Sequence, residues 1–293
     1  MSGRDHDHRA GAASHQSAAR EDAGFGPERL ASALVLTFDN LGEASELERG
    51  TWPAGVPLGA HPSVTTVLPR LLDALEAHGL RSTFCVEAIN CELYPDALLE
   101  IARRGHELAD HGWRHESWGQ LSAQHERDAL TRGLQAFRTL GLDVRGFRPP
   151  GGELTDSTPE LLREAGLRWC SPEGGTSEVR DGLAYVPFDW QLVDAYHLME
   201  RFAELRRRHG EPEAVLNPEL LADRLVAELE ALPIRGGART LILHPFLMLD
   251  EAWFAGVERL LGLIGELAHR RHTWVVSGGR FAEWLLRTQV RWS

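Results

Sequence analysis

The sequence predicts an α/β fold whose strands form a parallel, barrel-like sheet. Two observations lead to this prediction. First, strand-type apolar runs alternate with helix-type patterns from about residue 31 to residue 288, and such an order implies parallel strands joined by right-handed crossovers. Second, about six to eight β-α units follow one another without a G-x-G-x-x-G or a GK[ST] motif, which favours a barrel over a dinucleotide-binding fold.

Composition and charge exclude several classes of function. Of the 293 residues, 43% are hydrophobic and 25% are charged, as in a soluble globular protein with a sizeable core. The formal net charge of −12, without a basic stripe, argues against nucleic acid and anionic membranes as partners. No stretch approaches the roughly 20 apolar residues of a membrane span, and the N-terminal segment lacks a signal-peptide core. An odd number of cysteines without ligand spacing indicates reduced thiols, so we expect a cytoplasmic protein.

The chain is expected to consist of a tail and one domain. Residues 1–28 are polar and rich in Ala, Gly and Ser, and we expect them to be disordered. Residues 29–293 contain neither a repeat nor a linker, so they should form a single domain. Its first element is a buried strand at residues 31–38, with the sequence ASALVLTF.

The first half of the domain continues with alternating elements. Residues 42–59 contain prolines and no regular periodicity, so a long irregular loop is expected there, of the kind that often covers a site. Apolar residues at helical spacing, closed by Gly79, predict a helix over residues 62–78. The remaining elements are a strand at 81–88, a helix at 95–104, a strand at 106–109 and a helix from the N-cap Ser122 to about residue 140.

The second half repeats the alternation with shorter strands. Its predicted strands lie at residues 146–148, 167–170, 184–188, 239–243 and 273–276. Its predicted helices lie at residues 157–165, 196–207, 218–232, 251–269 and 280–287.

Two histidines follow the predicted strand at residues 106–109. His111 and His115 are four positions apart in the sequence GHELADHGWRHESW, so both imidazoles can point at one ion. Neutral imidazoles are common ligands of borderline divalent metals such as zinc. Because such a pair also arises by chance in a chain with fourteen histidines, the pair alone leaves a structural role open.

Polar residues recur where the other predicted strands end. In a parallel barrel these ends converge on one face, where side chains from separate strands build the active site. Each residue also has a structural alternative, since Asp39 could cap a turn, Arg148 could form a surface ion pair and His244 could be a core histidine. The residues at the strand ends are Asp39, Asn40, His111, His115, Arg148, Asp189, Asp194 and His244.

The order of these motifs resembles that of the NodB-type polysaccharide deacetylases, a group similar to carbohydrate esterase family 4. The segment TFDN, which ends at Asn40, looks like the family's T-F-D-D motif. The pair His111 and His115 is similar to its H-[ST]-x-x-H motif, and RPPG, which begins at Arg148, is similar to its R-x-P motif.

Two later motifs extend the resemblance over about residues 31–288. FDW around Asp189 and LILH, which ends at His244, look like the family's fourth and fifth motifs. The phrases GHELADHGWRHE and LILHP look most like the branch whose cytoplasmic members act on peptidoglycan precursors, cyclic imides and allantoin. The resemblance implies a distorted (β/α)7 barrel of the NodB-homology type and hydrolysis of a carbon–nitrogen amide bond.

The resemblance also implies roles for the residues at the strand ends. Asp39 would act as the general base, with Arg148 orienting it. His244 would act as the general acid that protonates the departing amine, and Asp189 or Asp194 would hold its tautomer.

A divalent metal is implied on His111 and His115, with zinc expected first and cobalt, nickel or manganese as alternatives. The family's aspartate ligand is replaced by Asn40, whose neutral carbonyl oxygen should bind a cation more weakly. Four outcomes stay open: a weaker site that uses Asn40, a site completed by another carboxylate, a metal-independent hydrolase of cyclic imides or ureides, and a non-catalytic barrel that binds a sugar or amide. The replacement carboxylates considered are Glu43, Glu46, Asp110 and Glu116.

The expected substrate is a small N-acylated molecule of the cytosol, because no signal peptide directs the protein to the cell wall. An N-acetylated sugar, a nucleotide sugar or a cyclic imide would fit, and the products would be an amine and a carboxylate, usually acetate. Tryptophans could stack on such a ligand or could instead fill the rim of the barrel. The helix faces do not decide whether the protein is a homo-oligomer. The expected substrate contacts are Trp113, Pro149, Pro150, Gly151 and Trp190.

Overall fold

A computed structural model describes residues 24–289 of the chain. Most of the predicted tail, residues 1–23, lies outside this range, as do residues 290–293. The described part includes Phe25, which is buried against the rings of Phe281 and Trp284. The packed domain therefore extends upstream of residue 29.

Nine strands of the described residues form one sheet. They are β1 (Ser32–Asp39), β2 (Thr83–Val86), β3 (Glu107–Asp110), β4 (Gly146–Phe147), β5 (Trp169–Cys170), β6 (Glu178–Arg180), β7 (Leu183–Tyr185), β8 (Gly237–Leu243) and β9 (Trp274–Val276). Every residue of β1 is buried, which explains the nearly continuous apolar sequence of this strand. Strand β8 pairs along one edge of β1, whereas β9 and then β2 pair with successive parts of the other edge.

Helices follow most of these strands, as predicted. They are α1 (Ala44–Arg49), α2 (Leu68–Ala77), α3 (Asn90–Leu93), α4 (Pro95–Arg103), α5 (Ala123–Thr139), α6 (Thr158–Glu164), α7 (Asp194–Leu198), α8 (Ala203–Arg208), α9 (Pro218–Arg235), α10 (Glu251–His269) and α11 (Gly278–Thr288). The predicted cap of α5 is present, since the Ser122 hydroxyl accepts a hydrogen bond from the His125 amide at 3.3 Å.

The sheet curls into a distorted barrel, which confirms the predicted fold class. Seven parallel strands form its wall in the order β8-β1-β2-β3-β4-β5-β7. Strand β6 pairs with β7 in antiparallel fashion. Two parallel bridges, Glu173 with Phe188 and Val193 with Ile242, connect the chain after β7 to the segment that follows β5 and to β8. The carboxyl ends of the seven strands therefore meet at one rim.

Some elements differ from the sequence-based prediction. The expected loop at residues 42–59 contains helix α1, and the predicted helix at 196–207 is divided into α7, a 3-10 turn and α8. The hairpin of β6 and β7 was not predicted. Its turn holds Asp181 and Gly182, both at positive φ, and an Asp-Gly pair between short strands is a known hairpin signal.

Two further predictions concern the cysteines and membrane-spanning helices. Cys85, Cys91 and Cys170 are buried free thiols, as expected for a chain without disulfides. Among residues 24–289 no helix is both long enough and apolar enough to cross a bilayer.

The site-bearing strand β4 depends on close packing against Trp169. This side chain is almost completely buried, and its indole N–H donates to Glu107 Oε1 at 3.2 Å. A Cβ atom at Gly146 would lie 2.0 Å from the indole, closer than two carbon atoms can approach. Position 146 therefore admits only glycine unless the indole moves.

We predict that Gly146→Ala lowers the free energy of unfolding by about 1–3 kcal/mol, because the added methyl group overpacks a rigid aromatic side chain. Gly262→Ala, within helix α10, is the matched control. A Cβ atom at Gly262 would lie 3.7 Å from His78, which is an ordinary van der Waals contact. Removal of a helical glycine should stabilise the protein by roughly 0.5–1 kcal/mol. Urea unfolding of both variants measures the difference, and equal stability of the two would contradict this packing.

Candidate active site

Polar side chains at the carboxyl ends of the strands line one cavity of about 230 Å³. They come from strands far apart in the sequence, as the barrel geometry requires. Sequence-predicted residues in the lining are Asp39, Asn40, His111, His115, Arg148, Pro149, Gly151, Trp190 and His244. The structure thus brings most of the predicted site residues together.

Asp39 and Arg148 form a buried ion pair at one side of the cavity. Arg148 Nη1 donates to Asp39 Oδ1 at 2.6 Å and to the Thr37 hydroxyl at 2.8 Å. The Thr37 hydroxyl in turn donates to the Leu241 carbonyl, and the Ser171 hydroxyl accepts from the other side of the guanidinium. Because both partners of the ion pair are at most 5% exposed in their side chains, removal of one would leave an unpaired buried charge. The network fixes the position of the Asp39 carboxylate.

His244 and Asp194 form a second buried pair. Asp194 Oδ1 lies 2.5 Å from His244 Nδ1, and Asp194 Oδ2 accepts from the His244 amide at 2.8 Å. The indole of Trp253 also donates to Oδ2. Because the Asp194 carboxylate accepts the hydrogen bond from the ring, Nδ1 carries the proton, and Nε2 is the ring nitrogen that Asp194 leaves available. Asp189, the other predicted partner of His244, is exposed and has no such contact in the described residues.

His111 presents a free ring nitrogen to the cavity. Its Nδ1 lies 2.8 Å from the carbonyl oxygen of Arg148, and because a carbonyl only accepts, Nδ1 must carry the proton. The Nε2 lone pair is then available to a ligand. Burial lowers the pKa of His111 to about 3, so the ring is neutral at neutral pH. Burial also lowers the pKa of His115 well below its usual value, and the two rings lie 5.0 Å apart.

Glu87 joins these histidines, and the sequence analysis did not identify it. Ligand atoms of Glu87, His111 and His115 all lie within 4.8 Å of one another. Asn40, predicted as the third ligand, donates from Nδ2 to Glu87 Oε1 at 2.5 Å, and Asn90 Nδ2 lies 3.4 Å from Oε2. Burial raises the pKa of Glu87 to about 8. Glu87 directly follows β2, and the prediction of one long strand over residues 81–88 had placed it inside the strand.

The four carboxylates that the sequence offered as replacements for the missing aspartate are engaged elsewhere or lie apart. Glu43 accepts hydrogen bonds from Tyr94 and Gly59, and Glu46 lies beside His61. Glu116 accepts from the amides of Trp113 and Arg114. Asp110 is buried, and its side-chain oxygens have no hydrogen-bond partner among the described residues. The group of candidate ligands contains none of these four.

Two predicted substrate contacts do not line the cavity. Trp113 is buried, and the guanidinium of Arg132 lies 3.4 Å above its ring, so it belongs to the packing between β3 and α5. Pro150 is also buried outside the cavity. Lining residues that the sequence analysis missed are Gly152, Phe188, Val193, Ala195, Arg201, Phe202 and Ile242.

The donor set of Glu87, His111 and His115 fits a divalent metal. One carboxylate and two neutral imidazoles form a common ligand set of catalytic zinc sites, which keep a further position open for water or substrate. The buried Glu87 carboxylate forms no ion pair with a cationic side chain of residues 24–289, and a metal ion would supply that charge. The residues present are therefore compatible with the metal that the sequence motifs imply.

Comparison with known proteins points in the same direction. The family model described as Polysaccharide deacetylase matches residues 28–170. A peptidoglycan-N-acetylglucosamine deacetylase from Bacillus cereus is 27% identical over 106 residues, which are 36% of this chain and 36% of that protein. The chain thus matches about a third of the length of this curated relative.

Solved structures share the fold over nearly the whole chain. A provisionally assigned polysaccharide deacetylase from Mycobacterium smegmatis is similar with a TM-score of 0.76 and 27% identity, over 91% of this chain and 94% of that one. The structure of PuuE allantoinase is similar with a TM-score of 0.71 and 15% identity, over 90% of this chain and 93% of that one. At that identity the second likeness concerns the fold alone.

We predict a specific pH dependence of stability from Glu87 when a chelator keeps the protein free of metal. The folded-state pKa of about 8 lies above the ordinary value of 4.5, so the protonated carboxyl contributes stability at low pH that is lost as the pH rises through this window. Relative to Glu87→Gln, the wild-type protein should lose up to about 1.4 kcal/mol of unfolding free energy per pH unit.

Urea unfolding at several values between pH 5 and pH 8 measures this difference. Glu92→Gln is the control, because the Glu92 side chain is exposed and its neutralisation should have no comparable pH-dependent effect. A constant difference between wild type and Glu87→Gln across the range would show that Glu87 does not titrate there.

Proposed function

Because the polysaccharide deacetylase family model matches residues 28–170, we propose that the protein hydrolyses the amide bond of an N-acetylated sugar or a related small molecule. The observation that carries this proposal is that three groups each contribute lining residues to one cavity, with Glu87 and Asp194 buried outside the lining itself. The three groups are the Asp39–Arg148 ion pair, the His244–Asp194 pair and the three candidate metal ligands. The products would be the free amine and a carboxylate, acetate in the case of an N-acetyl group.

Asp39 is proposed as the general base. The ion pair with Arg148 holds its carboxylate at the cavity wall, where it can take a proton from the attacking water. Arg148 is proposed as a positioning residue, because four of its five N–H groups donate to Asp39, Thr37 and Ser171.

His244 is proposed as the general acid. Asp194 holds the proton on Nδ1 and stabilises the protonated ring, so Nε2–H can donate to the departing nitrogen of the amide. The assignment of Asp194 to this task rests on its hydrogen bonds and complete burial, whereas the Asp189 side chain is exposed.

Glu87, His111 and His115 are proposed to hold a divalent metal, with zinc first and cobalt, nickel or manganese as alternatives. When bound, such a metal would polarise the amide carbonyl and lower the pKa of a bound water. Asn40 then acts through Glu87, since its amide N–H orients the carboxylate. The case for a metal-independent hydrolase or a non-catalytic binder rests on the replacement of the family's aspartate by Asn40. Because Glu87 offers a carboxylate beside the two histidines, this arrangement favours a metal-dependent hydrolase over both.

The cavity supports a substrate of limited size. Its volume of about 230 Å³ accommodates an acyl group and part of a sugar ring. A larger cleft of about 780 Å³ begins next to it and shares Gly151, Gly152 and Trp190 with it. The remainder of a substrate could lie in this cleft. The cytoplasmic location stays a prediction, which cell fractionation would test.

We predict that Asp39→Asn lowers kcat by about 10²–10⁴-fold, because an amide cannot take the proton from water. Asparagine is preferred to alanine here, since it keeps an acceptor for the buried Arg148 guanidinium. Release of acetate from N-acetylglucosamine and chitin oligosaccharides measures the effect. Asp189→Asn should retain wild-type activity, and full activity of Asp39→Asn would exclude the proposed base.

We also predict that a charge exchange between Asn40 and Glu87 restores metal binding. Glu87→Gln should lower zinc affinity by at least about tenfold, because it removes the anionic ligand. The double variant Asn40→Asp/Glu87→Gln should recover most of the loss, since the carboxylate returns at the neighbouring position. Chelator competition titrations measure the affinities. Equal zinc affinity of wild type and Glu87→Gln would remove Glu87 from the ligand set.

A further inference from the structure

An arginine of the cavity wall and a second one near it have no carboxylate partner among the described residues, and although other arginines share that property, Arg201 is set apart from them by its place in the cavity lining. Arg201 lines the cavity itself, and Arg49 ends helix α1 nearby. Fifteen other arginines between residues 24 and 289 form ion pairs with carboxylates. Within the same range, no carboxylate lies at ion-pair distance from Arg49 or Arg201. Arg49 donates only to the Ser45 hydroxyl at 3.1 Å, and the Arg201 guanidinium lies 5.0 Å from the centre of the Phe202 ring.

The two guanidinium groups are close enough to repel each other. Partial burial and the positive charge of Arg49 lower the pKa of Arg201. Two like charges that lie close together without a counter-ion between them destabilise the fold. The chain has a net charge of −12, so carboxylates that could neutralise these two arginines are plentiful. Both side chains are open to solvent and Arg201 lines the cavity, so an oxyanion in the cavity can reach the Arg201 guanidinium without displacing a protein carboxylate.

The Arg201 charge also lies at the catalytic end of the cavity. Arg201 shares the cavity lining with His115 and His244. A ligand that places its amide beside His244 can therefore place another group beside Arg201.

We propose that Arg49 and Arg201 form an anion-binding subsite that selects N-acylated substrates carrying a carboxylate or a phosphate. The inference rests on the proposed hydrolase function and narrows its substrate class. Guanidinium groups bind both oxyanions through paired, charge-assisted hydrogen bonds. The face of Phe202 holds the Arg201 guanidinium near the cavity, which limits the entropy lost when an anion binds.

Three sugars that differ only at C6 test the subsite. They are N-acetylglucosamine, its 6-phosphate and its C6-oxidised uronic acid. The wild-type protein should hydrolyse at least one anionic sugar with a kcat/KM at least about tenfold above that of the neutral sugar, mainly through KM. Arg201→Gln should remove this preference, because kcat/KM falls much more for the anionic sugars than for the neutral sugar. The phosphate and carboxylate arms show which oxyanion the subsite prefers.

Arg207→Gln is the matched control, because Arg207 is exposed and pairs with Glu204 away from the cavity. It should not change the preference. The preference should also weaken in Arg49→Gln and at high salt, since the interaction is between charges. Equal losses for neutral and anionic sugars in Arg201→Gln would overturn the subsite.

Binding to the Asp39→Asn protein separates this inference from the proposed function. Calorimetry with the same three sugars should show tighter binding of an anionic sugar, and Arg201→Gln in this background should abolish the difference. If the wild-type protein hydrolyses none of the sugars but this binding preference is present, the proposed function fails and the subsite stands. If the anionic sugars show no binding that depends on Arg201, the subsite is wrong even when hydrolysis occurs.

Discussion

The burial of the Glu87 carboxylate is the constraint on which the site depends. A buried carboxylate must either take up a proton or have a positive charge beside it, and burial shifts the pKa of Glu87 towards the protonated form. Two amide groups donate to the Glu87 carboxylate, two neutral imidazoles lie beside it, and the nearby Asp39 carboxylate raises its pKa further. A divalent cation would take electron pairs from the carboxylate and from both imidazoles and would offset the buried negative charge, and this is the physical basis for the proposed metal.

The rest of the fold places two further charged pairs around that centre. Asp39 and Arg148 neutralise each other on β1 and after β4, while Asp194 supports His244 after β8. Each pair comes from strand ends that only the curled parallel sheet brings together. The Arg148 backbone carbonyl also fixes the tautomer of His111, so this one residue connects the base to the candidate metal ligands.

The sequence predicted the barrel, the convergence of strand ends and most residues of the cavity, because periodicity and strand-end polarity are local patterns. It did not identify Glu87, since the strand predicted over residues 81–88 ran two residues past the end of β2 at Val86 and so placed the carboxylate inside the strand. Trp113 was predicted to contact the substrate, whereas in the structure its ring lies under the guanidinium of Arg132, a residue of helix α5. The sequence also could not show that Arg201 has no carboxylate partner among the described residues, because this depends on where every nearby carboxylate lies in space.

Anomalous X-ray diffraction from zinc-loaded crystals, recorded on both sides of the zinc absorption edge, tests the central claim most directly. The account predicts one strong peak in the cavity, within about 2.0–2.2 Å of a Glu87 oxygen and a nitrogen of each of His111 and His115. It predicts that Asn40 hydrogen-bonds to Glu87 and stays outside the coordination sphere. A peak bound by the Asn40 carbonyl without Glu87, or the absence of a peak at these histidines, would contradict it.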